Sequence, residues 1–229
     1  MNNRKPIIGI VATSNYMLTN DSFADTYRYG NNYINKIYLN GGVPLLIPLV
    51  DDKVILESLE MCDGLLLPGG NRVLPSTLEI IDYFYKHNKP ILGICLGMQE
   101  LAMYSVNKES NCEKKVIKVN DNGVNHWPND IFRDNNEELA HMVRIDKDSK
   151  LYEIFKNEEI MVNSVHKCTV TEVGSEFKVS IISEDGLIEG IEYINDDKFV
   201  IGVQFHPEVL PQYNKLFEVF VEKCKKEQK

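Results

Sequence analysis

Five short stretches of the chain are apolar almost without interruption. They are PIIGIVA (6–12), VPLLIPLV (43–50), DGLLLP (63–68), KPILGIC (89–95) and KFVIGVQF (198–205). None alternates apolar with polar positions, as a half-solvated strand does. Strands buried on both faces read this way, which predicts a parallel sheet covered by helices. Helical patterns fill the gaps. Residues 25–40 carry Tyr29, Tyr33 and Ile37 at four-residue spacing, with Gly41-Gly42 as the stop. Further helices are expected over 53–61, 76–87, 96–106 and 212–226. In the second of these, Ser76 with Glu79 three residues on has the form of a capping box. Strand and helix in alternation predict a doubly wound α/β fold.

The second half has a different texture. Residues 107–138 are polar and turn-rich, and read as an excursion or lid. Apolar segments then resume as HMVRI, EIMVNSV, FKVSII and GLIEGIEYI, a pattern that predicts an antiparallel extension of the parallel sheet. Without a linker-like break, residues 1–229 are expected to form one domain.

Composition narrows the partners. Of 229 residues, 34 are Asp or Glu and 25 Lys or Arg, a formal charge of −9. An acidic surface repels phosphate backbones and anionic membranes, so neither nucleic acid nor membrane is expected as a partner. No apolar run approaches the roughly 20 residues of a membrane helix. The five Cys are odd in number and include no C-x-x-C, so a reducing, cytoplasmic setting is expected. A homodimer is left open.

The chemistry concentrates at Gly93-Ile94-Cys95-Leu96-Gly97, which follows a buried strand and opens a helix. A nucleophile flanked by glycines at such a junction is an elbow: the turn is tight, and its neighbours must be small. The helix N-terminus behind it favours negative charge on the sulfur. The backbone N–H of Leu96 is placed to face an oxyanion. Thiol chemistry also needs a base. Gln204-Phe205-His206-Pro207-Glu208 leaves the last apolar run at its carboxyl end, the end at which the elbow lies in a parallel sheet. His206 is the expected base, with Glu208 holding its other ring nitrogen. Leu67-Pro68-Gly69-Gly70 ends another buried run, and Gly70 is the expected second oxyanion donor. The histidines make no metal-binding motif by spacing, and no phosphate loop is present. No metal or cofactor is therefore expected. His126-Trp127-Pro128, inside the polar excursion, is a candidate cap over the site.

Taken together, GICLGMQ, LLLPGG and GVQFHPE resemble the class I glutamine amidotransferase superfamily. Within it, the order of YINKIYLNGGVPLLIPL, MCDGLLLPGG, VNSVH and DGLIEGIEY is similar to the gamma-glutamyl-gamma-aminobutyrate hydrolase family. The resemblance implies a flavodoxin-like sheet and a triad of Cys95, His206 and Glu208, with Gly70 and Leu96 forming the oxyanion hole. It further implies that Gln99 contacts the glutamyl moiety, and that Asn163, Ser164, Val165 and His166 form the segment meeting its amino-acid head. The chain also departs from the hydrolase pattern, among other places at Lys167-Cys168, where that family has His-Gln, and at two positions near the elbow and the glycine loop. Leu96 stands where that family has Arg, and Arg72 where it has Asp. The expected reaction is cysteine-dependent hydrolysis of a gamma-glutamyl amide without a cofactor. The alternative is a glutaminase component that supplies ammonia to a separate synthetase partner.

Overall fold

The computed structural model describes residues 4–15, 26–50, 53–71, 73–110, 116–119, 126 and 138–226. Among them, eleven strands form one sheet. In chain order these are β1 (Ile7–Ile10), β2 (Val43–Leu46), β3 (Gly64–Leu67), β4 (Ile91–Ile94), β5 (Ile117–Val119), β6 (His141–Ile145), β7 (Glu159–Val162), β8 (Cys168–Val170), β9 (Phe177–Ser183), β10 (Ile188–Tyr193) and β11 (Val200–Val203). The five predicted apolar runs supply β2, β1, β3, β4 and β11, adjacent in that order and all parallel. That is the 2-1-3-4-5 order of a flavodoxin-like sheet. Beyond β11 the sheet continues antiparallel through β10, β9, β6 and β7, with β8 attached to β10 and β5 to β8.

The helices divide between the two faces as the uninterrupted apolar strands require. On one face, α1 (Asn31–Leu39) and a C-terminal helix (Asn214–Lys226) pack Tyr33, Ile37, Phe217 and Phe220 against Ile8, Leu66, Leu92 and Ile94. On the other, α2 (Leu56–Glu60), α3 (Pro75–Lys86) and α4 (Leu96–Asn107) pack Leu59, Ile80, Phe84 and Leu101 against Leu65, Leu67 and Ile91. Adjacent residues of one strand thus serve opposite cores, and each fully buried side chain contributes roughly 1.5–3 kcal/mol. A short helix, α5 (Lys150–Phe155), joins β6 to β7, and the C-terminal helix is α6. No helix among the described residues is long and apolar enough to cross a membrane.

Several boundaries differ from the sequence expectation. The helix expected over 25–40 starts only at Asn31, because Thr26–Arg28 pairs as a ribbon with Thr13–Asn15. Lys53–Val54 likewise pairs with Leu49–Val50, which shortens the expected 53–61 helix to α2. Ser76 is not an N-cap. Leu74 holds that position with Pro75 at N1, and the Ser76 hydroxyl has no hydrogen-bond partner among the described residues. Glu100, buried on α4, instead hydrogen-bonds with Thr77 and the Leu74 backbone. Burial pushes the Glu100 carboxyl up to about 8 against the pull of those bonds. The last helix begins two residues later than expected, after two 3-10 turns. Most of the 107–138 excursion lies outside the described residues; within it, β5 and His126 are placed.

Candidate active site

The carboxyl ends of β3, β4 and β11 lie side by side, since Leu67 pairs with Gly93 and Val203 with Ile94. The three peptides that leave those ends carry Gly69-Gly70, Cys95 and His206. This is the edge at which open parallel sheets bind ligands.

Cys95 links β4 directly to α4, with φ 54° and ψ −105°. A side-chain-bearing residue there is strained, and such strain persists only where the surroundings over-determine it. The constraint is visible. The Cys95 N–H donates to the Val203 carbonyl at 2.8 Å. A Cβ on Gly93 would stand 2.6 Å from the Gly97 carbonyl oxygen, and one on Gly97 only 2.3 Å from that of Leu67. Both flanking glycines are therefore required by backbone contact, as the elbow reading predicts.

Glu208 Oε1 lies 2.7 Å from His206 Nδ1, on a 3-10 turn that begins at Pro207. With Nδ1 taken, Nε2 is the ring nitrogen left for the sulfur, and His206 is also hydrogen-bonded to Cys95. Burial alone would push the imidazole down, but the charges and hydrogen bonds of Glu208 and Cys95 hold its pKa well above the usual histidine value. His206 is thus held between the Glu208 carboxyl group and the Cys95 sulfur.

Two residues of this arrangement were not assigned these roles from sequence. The Tyr33 hydroxyl accepts the Gly69 N–H at 3.0 Å and hydrogen-bonds with Glu208, tying the glycine loop to the carboxylate. Burial, followed by the charge of Glu208, keeps the phenol protonated by raising its pKa well above the ordinary value. Its four-residue spacing to Tyr29 and Ile37 marked only a core position. The clue was the hydroxyl, since a buried tyrosine needs a partner for it. Asn163 is the second. Its Oδ1 accepts the His206 N–H at 2.8 Å and its Nδ2 donates to the His206 carbonyl at 3.1 Å, a two-point clamp on the histidine backbone.

A cavity of about 610 Å³ opens at Cys95. Gly70 and Leu96 line it beside the sulfur, with Gln99, Val165 and His166 further along. Lys167 and Cys168 belong to the same wall. The expected substrate segment is thus divided. Val165 and His166 face the cavity, whereas the side chains of Asn163 and Ser164 turn inward, Ser164 Oγ donating to the His126 carbonyl at 3.1 Å. The Gln99 amide nitrogen is already committed, donating to the Cys168 carbonyl at 3.1 Å and to Gln204 Oε1 at 3.0 Å. Only its carbonyl oxygen remains for a ligand. His166 is not the surface residue its strand-end position suggests: it is buried, with Nδ1 on the Cys168 carbonyl and Nε2 3.2 Å from Glu189 Oε1. His126 is likewise buried and does not cap the site; Trp127, Pro128 and Arg72 lie outside the described residues.

The thiols differ enough to test. Cys95 lies on the cavity, and Cys168 is partly exposed on its wall without an elbow. Cys62 and Cys224 are fully covered, and burial pushes the Cys62 thiol up to about 11. Brief iodoacetamide treatment followed by peptide mapping is expected to label Cys95 first and Cys168 more slowly, with Cys62 and Cys224 reacting only on unfolding. Labelling of Cys62 or Cys224 ahead of Cys95 contradicts this order.

The peptidase C26 family matches residues 6–80 and 76–208 of the chain. A glutamine amidotransferase-like protein, RP404, of Rickettsia prowazekii is 29% identical over 90% of this chain and 92% of its own length. The gamma-glutamyl-gamma-aminobutyrate hydrolase PuuD of Escherichia coli is 26% identical, over 91% of this chain and 87% of its own. Among solved structures, the glutaminase domain of the Trypanosoma brucei CTPS, with bound acivicin, superposes with a TM-score of 0.67. It covers 98% of this chain and 95% of its own at 17% identity, a likeness of fold.

Proposed function

The chain belongs to the peptidase C26 family, within the class I glutamine amidotransferase-like superfamily, and from that premise we propose that it hydrolyses a gamma-glutamyl amide through a glutamyl thioester on Cys95. The observation that carries this reading is the strained elbow thiol hydrogen-bonded to an imidazole that a buried carboxylate holds at 2.7 Å. Cys95 attacks the side-chain carbonyl carbon. The oxygen gathers negative charge facing the backbone N–H groups assigned to Gly70 and Leu96. His206, protonated, gives its proton to the departing amine as the C–N bond breaks. The neutral imidazole then takes a proton from water. The hydroxide adds to the thioester, the C–S bond breaks, and glutamate leaves with the thiol restored. No step needs an oxidant or a cofactor. In this reading Val165, His166 and the Gln99 carbonyl oxygen bound the glutamyl group, while Asn163 acts through His206 and Ser164 supports the wall from behind.

We take residues 1–229 as one domain, supported by the continuous eleven-stranded sheet, and the cytoplasm as its setting, supported by the lack of a disulfide among the described cysteines. A second reading, a glutaminase that passes ammonia to a synthetase partner, is favoured by one observation. Leu96, not a cation, lines the cavity beside the sulfur.

Glutamate release from a panel of gamma-glutamyl amines and from glutamine separates the two. Turnover of gamma-glutamyl amines by the isolated protein, at a kcat/KM well above that for glutamine, is the expected result. Preference for glutamine, stimulated by a synthetase, selects the second reading. No glutamate release from any of these substrates refutes both.

A further inference from the structure

Three of the five histidines of the chain meet around one carboxylate. His126 Nδ1, His141 Nε2 and His166 Nε2 stand 3.7, 3.9 and 3.2 Å from Glu189 Oε1. All four residues are buried, Glu189 completely, and their four ligand-type atoms lie within 4.8 Å of one another. Among the described residues, neither Glu189 oxygen has a hydrogen-bond partner, nor has His141 Nε2 or His166 Nε2.

The far side of each ring determines what the near side offers. His166 Nδ1 lies 3.0 Å from the Cys168 carbonyl, and His141 Nδ1 3.3 Å from the Met142 carbonyl. His126 Nε2 lies 3.0 Å from Asp185 Oδ2. All three far partners only accept, so they select the imidazole tautomer whose far nitrogen carries the proton and whose near nitrogen is the acceptor. The hydroxyl of Ser164, 3.1 Å from both His126 Nδ1 and the His126 carbonyl, has one proton for the two. Three nitrogen acceptors therefore converge on a carboxylate in a water-poor interior. Left to themselves these buried polar groups are unsatisfied, which disfavours the folded state.

We propose that His126, His141, His166 and Glu189 bind one divalent first-row transition metal ion, with Zn²⁺ the best fit. Tetrahedral zinc takes imidazole nitrogen and carboxylate oxygen at about 2.0–2.2 Å, which puts neighbouring ligand atoms roughly 3.3–3.5 Å apart. The three separations from Glu189 bracket that value. The far-side bonds are the outer partners that orient metal-bound histidines, and the Asp185–His126 pair is the carboxylate–histidine form of it. Glu189 and Asp185 together neutralise the cation. With four protein ligands the site is closed, which marks it as structural. The consequence is mechanical. The ion pins His126, from the polar excursion, and the 163–168 loop to β6 and β10. His166 is at once a ligand and part of the cavity wall beside Cys95. The metal thereby holds the substrate side of the pocket from behind without touching substrate.

The test does not depend on hydrolysis. Protein stripped by a chelator and dialysed is titrated with Co²⁺ alone. One equivalent is expected to give the intense visible bands of tetrahedral cobalt, abolished by one equivalent of Zn²⁺, and Zn²⁺ is expected to raise Tm. Glu189→Gln and His141→Ala should lose the tetrahedral spectrum. Asp185→Asn should bind roughly 10–100-fold more weakly. His87→Ala, on the exposed end of α3, should bind as wild type. A six-coordinate spectrum or no binding by the wild type overturns the proposal, and so does an undiminished tetrahedral spectrum in Glu189→Gln. If either variant fails to fold, ¹⁵N imidazole shifts of the wild type decide: movement of three ring nitrogens with Zn²⁺ supports the site, and protonated rings that ignore Zn²⁺ overturn it.

Discussion

Replacing either Cys95 or His206 by alanine is expected to reduce glutamate release to background, and the double variant should be no worse than either alone. A nucleophile and its base act as a unit, so their losses do not add. Without the sulfur no thioester forms. Without the imidazole, the thiol loses the group that takes its proton and the amine the group that supplies one, steps worth roughly 10²–10⁴-fold in general acid–base catalysis alone. Glu208→Gln should be milder. The 2.7 Å contact to His206 Nδ1 survives in geometry, Asn163 still clamps the histidine backbone, and only the charge that holds the imidazolium is lost. Because that charge raises the His206 pKa, the basic limb of the pH–rate profile should move to lower pH in Glu208→Gln. Steady-state rates of the four variants against pH, with the best gamma-glutamyl amide, check both points. If His206→Ala keeps most of the wild-type rate, another residue is the base. His166 is a poor substitute, since its Nε2 is turned toward Glu189.

Elements that declared themselves locally were legible in the sequence. The inner parallel strands had to be uninterruptedly apolar because each serves two cores, with Leu66 in one and Leu65 and Leu67 in the other, whereas edge strand β2 is equally apolar yet exposes Val43 and Leu46. The elbow was legible because the two glycines that backbone contact requires, Gly93 and Gly97, stand two residues to either side of Cys95. Helix starts were harder to place. The apolar spacing through Tyr29 continues from ribbon into helix, and nothing local says that Thr26–Arg28 pairs with Thr13–Asn15. Ser76 and Glu79 make a valid capping pattern, yet Pro75 at N1 and Glu100 on the neighbouring helix displaced it. Side chains whose partners come from distant segments were out of reach. Asn163 meets His206 across 43 residues. The histidine cluster draws His126, His141, His166 and Glu189 from four separate segments, so no spacing motif exists to find.

Gly97→Ala should be as damaging as a catalytic substitution, for a backbone reason. Ordinarily alanine improves a helix position over glycine by about 1 kcal/mol. Here the added Cβ would lie 2.3 Å from the Leu67 carbonyl oxygen and 2.6 Å from the Leu67 Cβ, distances at which something must move. The far end of a flexible side chain could swing aside, but a carbonyl in a central strand cannot. Either α4 lifts from β3 or the end of β3 is displaced. Over-packing of this kind typically costs 1–3 kcal/mol, and the rigidity of both partners argues for about 3 kcal/mol. Activity should fall further than stability. The displaced carbonyl immediately precedes Pro68-Gly69-Gly70, and the lifted helix carries the Leu96 N–H, so the two sides of the proposed oxyanion site separate. Displacements of about 1 Å at such a site cost on the order of 100-fold in rate. Gly186→Ala is the matched comparison. Its φ of +84° disfavours alanine, but nothing lies within 4 Å, and it sits on a tight turn away from the elbow. It should lose about 1 kcal/mol and keep its kcat. Urea titration and kcat, measured at a temperature where both variants are folded, separate the two effects. Wild-type stability and rate in Gly97→Ala would show that α4 and β3 tolerate a wider separation, and that their close approach does not set the geometry at Cys95.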